Sequence, residues 1–234
     1  MQNKGCQTVF DEIAQDYDAQ LEQGLSFSGE GKDYYAEGRI KYLRRTLDRI
    51  GKAPSSVLDY GCGTGTAAPL LQCILGARRV VGVDPSRRSI EEARKRCAGP
   101  GIAFQALDSF RPAGEHDLVF TNGVFHHVAP GQRQQVLACI RAALRPGGLM
   151  VIWENNIWNP GTRLLMRRLP FDRDAVPLSS LEARKMLRLA GFEIIKTNYL
   201  FVFVRALRFL RRLEYPLSVL PLGAQYQIVA QLPD

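Results

Sequence analysis

Three glycines at alternate positions, Gly61, Gly63 and Gly65, follow the run VLDY and precede a helical pattern. Glycine has no Cβ, so a turn built this way lets the backbone approach a ligand closely. A pyrophosphate-holding loop uses GxGxxG/A, with a small residue in the sixth place. Here the spacing is GxGxG, and Thr66 stands in that place. Asp59 sits just before the loop, where a carboxylate repels a pyrophosphate and attracts an ammonium group. The pattern suits a zwitterionic, cationic cofactor better than a dinucleotide. The second group able to do chemistry is His126–His127 in NGVFHHV, two of the three histidines in the chain. Imidazole accepts a proton near neutral pH. Both features also have plain structural readings: a tight turn with a helix cap, and imidazoles that cap a helix or bind backbone.

These residues need a scaffold, and the surrounding pattern supplies one. From Ser55 to about Glu154, apolar runs (SSVLDY, RVVGVD, IAFQAL, HDLVFTN, LMVIWEN) alternate with helical stretches. Helices are expected from about Thr66 to Leu75, over SRRSIEEARKRC and over PGQRQQVLACIRAAL, the last one stopped by PGG. Runs rich in Val, Ile and Phe, each followed by a helix, argue for a parallel sheet covered on both faces. Ser179 and Glu182 have capping-box spacing, with Gly191 ending that helix. Two more strands are expected in GFEIIKTNYLFVF and AQYQIVAQL, joined by a segment too long for a tight hairpin.

Four ordered stretches resemble the class I S-adenosylmethionine-dependent methyltransferases, especially the group that includes the ubiquinone and menaquinone methylases. VLDYGCGTG is similar to the first motif of that family, VVGVDPS to its acidic second strand, and LRPGGLMVI to its turn into the fifth strand. VFDEIAQDYD resembles the aromatic–acidic helix that often precedes the domain. The likeness runs from Phe10 to Glu154 and continues more weakly from Gly191. It implies an α/β fold: a Rossmann-like, doubly wound, mostly parallel seven-stranded sheet with helices on both faces. N-terminal helices and C-terminal insertions would form a lid. The cofactor would be S-adenosyl-L-methionine and the product S-adenosyl-L-homocysteine.

The resemblance also implies roles. Asp59 with Gly61, Gly63 and Gly65 would line the cofactor. Asp84, 25 residues beyond Asp59, would accept from the ribose hydroxyls, with Pro85 beside it. Asp108, with Leu107 beside it, would accept from the adenine amino group. Asn122 would meet the methionine end, and Tyr17 would close over it. VFHHV is similar to the junction where some O-methyltransferases carry a catalytic histidine, His126 being the better positional match and His127 its neighbour. One domain is expected over 1–234, with a helical lid (1–53), a cofactor-binding core (54–154) and substrate-side insertions with the last two strands (155–234).

Methyl transfer from a sulfonium is an in-line displacement, so positioning supplies much of the catalysis. A base is needed only where the acceptor loses a proton, as a hydroxyl does. No metal is called for. Asn122 is followed by Gly123 and Val124, so the (D/N)PP(Y/F/W) signature of amino methylases is absent. That favours oxygen, or an acidic carbon, on a small molecule.

The net charge of +8 is concentrated between Pro160 and Arg212, with 12 Lys and Arg against 4 Asp and Glu. A solvated surface explains this. So does an acidic partner: an anionic, glycan-linked or lipid-linked substrate, nucleic acid, or the membrane surface. Trp153 and Trp158, with Arg163, Arg167 and Arg168, are expected to combine aromatic surface with forks for anions. On a helical wheel, Ala206, Leu207, Phe209, Leu210 and Leu213 oppose Arg205, Arg208, Arg211 and Arg212. This fits a helix packed on its own domain, or a peripheral membrane helix. VFHHV also resembles a stretch of some wobble-uridine tRNA methylases, which keeps an RNA-modifying enzyme as an alternative. A non-catalytic cofactor-binding protein is another. The N-terminus lacks a signal-peptide pattern, no apolar run nears the ~20 residues of a membrane span, and the five cysteines show no CxxC pair. Reduced thiols and a cytoplasmic location are expected.

Overall fold

A computed structural model of the chain describes residues 28–169 and 175–234. Five parallel strands form its centre: β1 (Ser56–Tyr60), β2 (Arg79–Asp84), β3 (Ile102–Ala106), β4 (His116–Asn122) and β5 (Leu144–Asn155). β6 (Glu193–Leu200) and β7 (Gln225–Gln231) complete a seven-stranded sheet in the order β3-β2-β1-β4-β5-β7-β6, with β7 antiparallel to both neighbours. The chain steps outward from β1 to β3 and then returns to place β4 against β1. In open α/β sheets, ligands bind in the crevice at the carboxyl ends of the strands, at such a reversal.

Successive strand residues point to opposite faces, and the core divides accordingly. Val57, Val80, Leu118, Val151 and Val229 meet α1 (Lys32–Arg49), α2 (Ala67–Leu75) and α3 (Arg87–Cys97) on one face. Leu58, Val81, Val119, Ile152 and Ile228 meet α4 (Arg133–Ala143) and α6 (Ser180–Leu189) on the other. Between β5 and α6 lies α5 (Pro160–Arg168). The capping box of α6 is formed as its spacing predicts. Ser179 Oγ accepts from the Glu182 N–H, Glu182 Oε2 accepts from the Ser179 N–H at 2.8 Å, and Gly191 follows at φ +84°.

Three local expectations need correction. Trp153 is not surface: as an alternate residue of a strand flanked on both sides, it turns into the α1 layer and is fully buried, leaving only Trp158 exposed. The strand expected over GFEIIKTNYLFVF stops at Leu200, because Phe201 takes a left-handed φ of +63°. The arginine-rich segment is not a packed amphipathic α-helix. Arg205–Leu213 is a 3₁₀ helix kinked at Leu207, followed by the short α7 (Glu214–Leu217). Its ends are drawn together, the Ala224 N–H donating to Phe201 O at 3.2 Å and Glu214 Oε1 accepting from the N–H groups of Val202 and Phe203. Leu207, Phe209 and Leu213 are left exposed.

Candidate active site

Every described residue that the sequence nominates lies at the carboxyl edge of the parallel strands. Asp59 is the penultimate residue of β1, Asp84 ends β2, and Leu107 and Asp108 follow β3. Asn122 ends β4, and His126 and His127 lie in the loop beyond it. Tyr17 lies outside the described residues.

The three glycines do different work. Gly61 has φ +77°, and a Cβ there would lie 2.5 Å from Val124 Cγ2, so it makes room for the loop after β4. Gly65, at φ +85°, would meet Ala93 and Phe104 at 2.9 Å, so it lets the start of α2 sit against α3 and β3. Gly63, at φ +53°, faces open space with nothing within 4 Å. Its bare Cα leaves that space to a ligand. Asp84 anchors the loop, with Oδ2 accepting from the Gly63 N–H and Oδ1 from the Ser86 N–H, each at 2.9 Å.

Asp59 is 2% exposed, and its Oδ2 has no hydrogen-bond partner among the described residues. Burial, with Asp84 nearby, pushes its carboxyl up to about 7. A buried acid without a partner is costly as an anion, and a cationic ligand group would relieve that cost. The residues present therefore fit S-adenosylmethionine, with open space at Gly63 and, on the same strand-to-helix connection, an Asp59 carboxyl that has no cationic partner among the described residues. Asp108 already has a partner. The Arg87 guanidinium donates to its Oδ2 at 2.5 Å and holds its carboxyl below the usual range. Leu107 is tied to β2 through its N–H and Asp84 O at 2.9 Å, and Pro85 is exposed.

The histidine loop contains what sequence reasoning missed. His126 is buried, and its Nδ1 lies 2.5 Å from Oε2 of Glu154, the penultimate residue of β5. Glu154 Oε1 accepts from the Phe125 N–H at 2.7 Å, so one buried carboxylate orients both the backbone and the imidazole. Arg133, also buried, donates to the carbonyls of Phe125, Val128 and Val176, and the Val176 N–H donates to His126 O. The His126 and His127 rings lie 4.0 Å apart, and the position a Cβ on Gly123 would take is 3.4 Å from His126 Cε1. Through Gly61–Val124, this loop packs directly on the glycine turn. An acid closing the apolar run LMVIWE was the available signal for Glu154. For Arg133, four residues inside a helical pattern, there was none.

A third arrangement crosses the sheet. Asn122, Trp153, Gln227 and Asn198 are paired in register across β4, β5, β7 and β6. Each carries a buried side-chain polar atom with no hydrogen-bond partner among the described residues. The row begins at the cofactor edge and contains no charge.

Comparison with known proteins agrees with this geometry. Residues 57–148 match the family model described as a methyltransferase domain. A trans-aconitate 2-methyltransferase of Methylobacterium nodulans is 32% identical over 166 residues, covering 68% of this chain and 61% of the relative. The chain thus spans about three-fifths of that protein's length. Among solved structures, a Thermotoga maritima protein described as an S-adenosylmethionine-dependent methyltransferase, possible histamine N-methyltransferase, aligns over 97% of this chain and 99% of its own, with 18% identity and a TM-score of 0.61. Geranyl diphosphate C-methyltransferase from Streptomyces coelicolor aligns over 83% of this chain and 78% of its own, with 16% identity and a TM-score of 0.60. By the family-model match and the order of the sheet, residues 57–148 form a methyltransferase domain of the class I S-adenosylmethionine-dependent fold.

Proposed function

We propose that the protein methylates an oxygen of a small-molecule acceptor, with His126 taking the proton that the hydroxyl gives up. The observation that carries this reading is the buried His126–Glu154 pair beside the glycine turn. With Nδ1–H donated to the carboxylate, the acceptor lone pair of the neutral ring belongs to Nε2. Glu154 stabilises the imidazolium as it forms, without itself becoming the base. The cofactor supplies an electrophilic methyl on a sulfonium. Asp59 would hold its ammonium group, Asp84 its ribose, and Asn122 would lie toward its methionine end. A relative named for a small acid acceptor, trans-aconitate, supports a small-molecule substrate.

The test is to incubate the purified protein with labelled S-adenosylmethionine and two extracts, one of small molecules and one of RNA, and to follow the label by mass spectrometry. Label in a metabolite hydroxyl, lost in His126→Gln, is expected. Label in RNA, or turnover that survives His126→Gln, would overturn the reading.

A further inference from the structure

The loop between β6 and β7 is the part of the surface least like that of a soluble domain. Among the described residues, seven of the thirteen exposed large hydrophobic side chains lie between Val204 and Leu222. Leu207, Phe209 and Leu213 come from the 3₁₀ helix, and Val219, Leu220 and Leu222 from the return toward β7; Phe209 and Val219 are 66% and 68% exposed. Single exposed apolar residues need no explanation, but a concentration of them on one loop does.

The charge around these side chains is mostly positive. From Phe201 to Gly223 there are four arginines and one acid, Glu214. That acid is tied inward by the N–H groups of Val202 and Phe203. Arg211 is also engaged, donating to Glu30 Oε1 at 2.7 Å, while Arg208 and Arg212 lie exposed. The loop is stitched to α5, where Asn159 Nδ2 donates to Leu222 O and Thr162 Oγ1 to Ala224 O. That helix adds exposed Arg163, Arg167 and Arg168 with no acid. The loop leaves the sheet at Leu200 and rejoins it at Gln225. Gln225 pairs with both Leu200 and Asn155, the last residue of β5, so the loop rises from the same edge as His126 and Glu154.

We propose that this loop, with α5, docks the protein on an anionic lipid bilayer and holds the active-site edge toward the membrane. The apolar side chains enter the headgroup region while the arginines meet lipid phosphates, the combination by which interfacial segments bind. Charge decides against a second copy as the occupant, because two such surfaces face to face bring arginine against arginine while the nearby acids, Glu30 and Glu214, are already engaged. The proposal concerns the exterior of the chain and stands apart from the acceptor atom proposed above.

The experiment is co-sedimentation of the full chain with vesicles of phosphatidylcholine alone, and with vesicles of equal parts phosphatidylcholine and phosphatidylglycerol. Binding to the anionic vesicles, weakened by salt, is expected. Arg208→Gln with Arg212→Gln should weaken it by about tenfold or more. Phe209→Ser with Leu220→Ser should weaken it comparably, and each double variant should keep the wild-type melting temperature and S-adenosylmethionine affinity. Failure to bind either vesicle, equal binding to both, or binding indifferent to Phe209→Ser with Leu220→Ser overturns the proposal. So does sedimentation velocity without lipid that reveals a dimer abolished by the same apolar substitutions, which would make the face a self-association surface.

Discussion

His126 and Glu154 stand 28 residues apart in the chain and meet at the ends of neighbouring strands, with the carboxylate shared between the imidazole Nδ1 and the Phe125 N–H. A residue that acts through another should leave its mark on kcat rather than KM. Glu154→Gln retains an oxygen for the Phe125 N–H but cannot stabilise an imidazolium. It should lower kcat by about a hundredfold, within the usual range for general-base assistance, with KM and melting temperature near wild type. A variant that melts early with kcat intact would make Glu154 a packing residue only.

Asp59 gives a pH dependence with a definite sign. Its carboxyl ordinarily titrates at 3.8 and is raised to about 7 by burial and by Asp84, so between those values the folded cofactor-free protein binds more proton than the unfolded chain. Stability from this group is complete below the unfolded value and is lost as pH rises from about 4 toward 7. Substitution by Asn should flatten that slope in melts of the cofactor-free protein.

Cofactor affinity should respond in the opposite sense. An ammonium group prefers the Asp59 carboxylate, so the dissociation constant should rise as pH falls below 7, approaching about tenfold per unit. Titration calorimetry should also record proton release on binding at pH 6. A constant that does not vary between pH 5.5 and 8 would remove Asp59 from the ammonium site.

The glycine turn separates packing from binding. Gly63→Ala puts a methyl into open space at a left-handed φ and should cost about 1 kcal/mol of stability, yet weaken S-adenosylmethionine binding far more. Gly65→Ala meets Ala93 and Phe104 at 2.9 Å and should cost about 2 kcal/mol or more, visible as a lower melting temperature with or without cofactor. The two variants ranking alike in both measurements would mean that Gly63 does not face the ligand.

Arg133 tests how far the histidine loop depends on its support. Arg133→Met leaves the carbonyls of Phe125, Val128 and Val176 without their donor and should cost about 3 kcal/mol, the scale of a charged hydrogen-bond network. Turnover should fall with it, while cofactor affinity stays near wild type.

The parallel core was readable because its signals are local and redundant. Val-rich runs alternate with helices, glycines stand at the turn, and Ser179 caps its helix three residues before Glu182. The glycine motif also placed Asp59 and Asp84 at strand ends, since position along a strand follows from its length. Contacts between strand ends were not readable. Glu154 reaches His126 only because β4 and β5 are neighbours, and Asn122, Trp153, Gln227 and Asn198 form a row only through registers that no local pattern encodes. Trp153 was misjudged for a related reason. An aromatic near the end of a central strand looks like surface until the antiparallel β7 is known to cover its far side. The arginine-rich loop defeated the helical wheel because bonds at its two ends, from Ala224 and Glu214, set its shape.

The place of β7 has a consequence for how the chain is made. It follows every other described strand in sequence, yet lies inside the sheet between β5 and β6, so its seven residues are the last strand of the sheet to be synthesised and the one that joins the two halves. Until they emerge from the ribosome, β5 carries an open hydrogen-bonding edge, and Val229 and Ile228 are missing from the two apolar layers. A nascent chain halted anywhere before Gln225 therefore presents a long unpaired strand beside an unsealed core, a species that chaperones bind and that aggregates when they are absent.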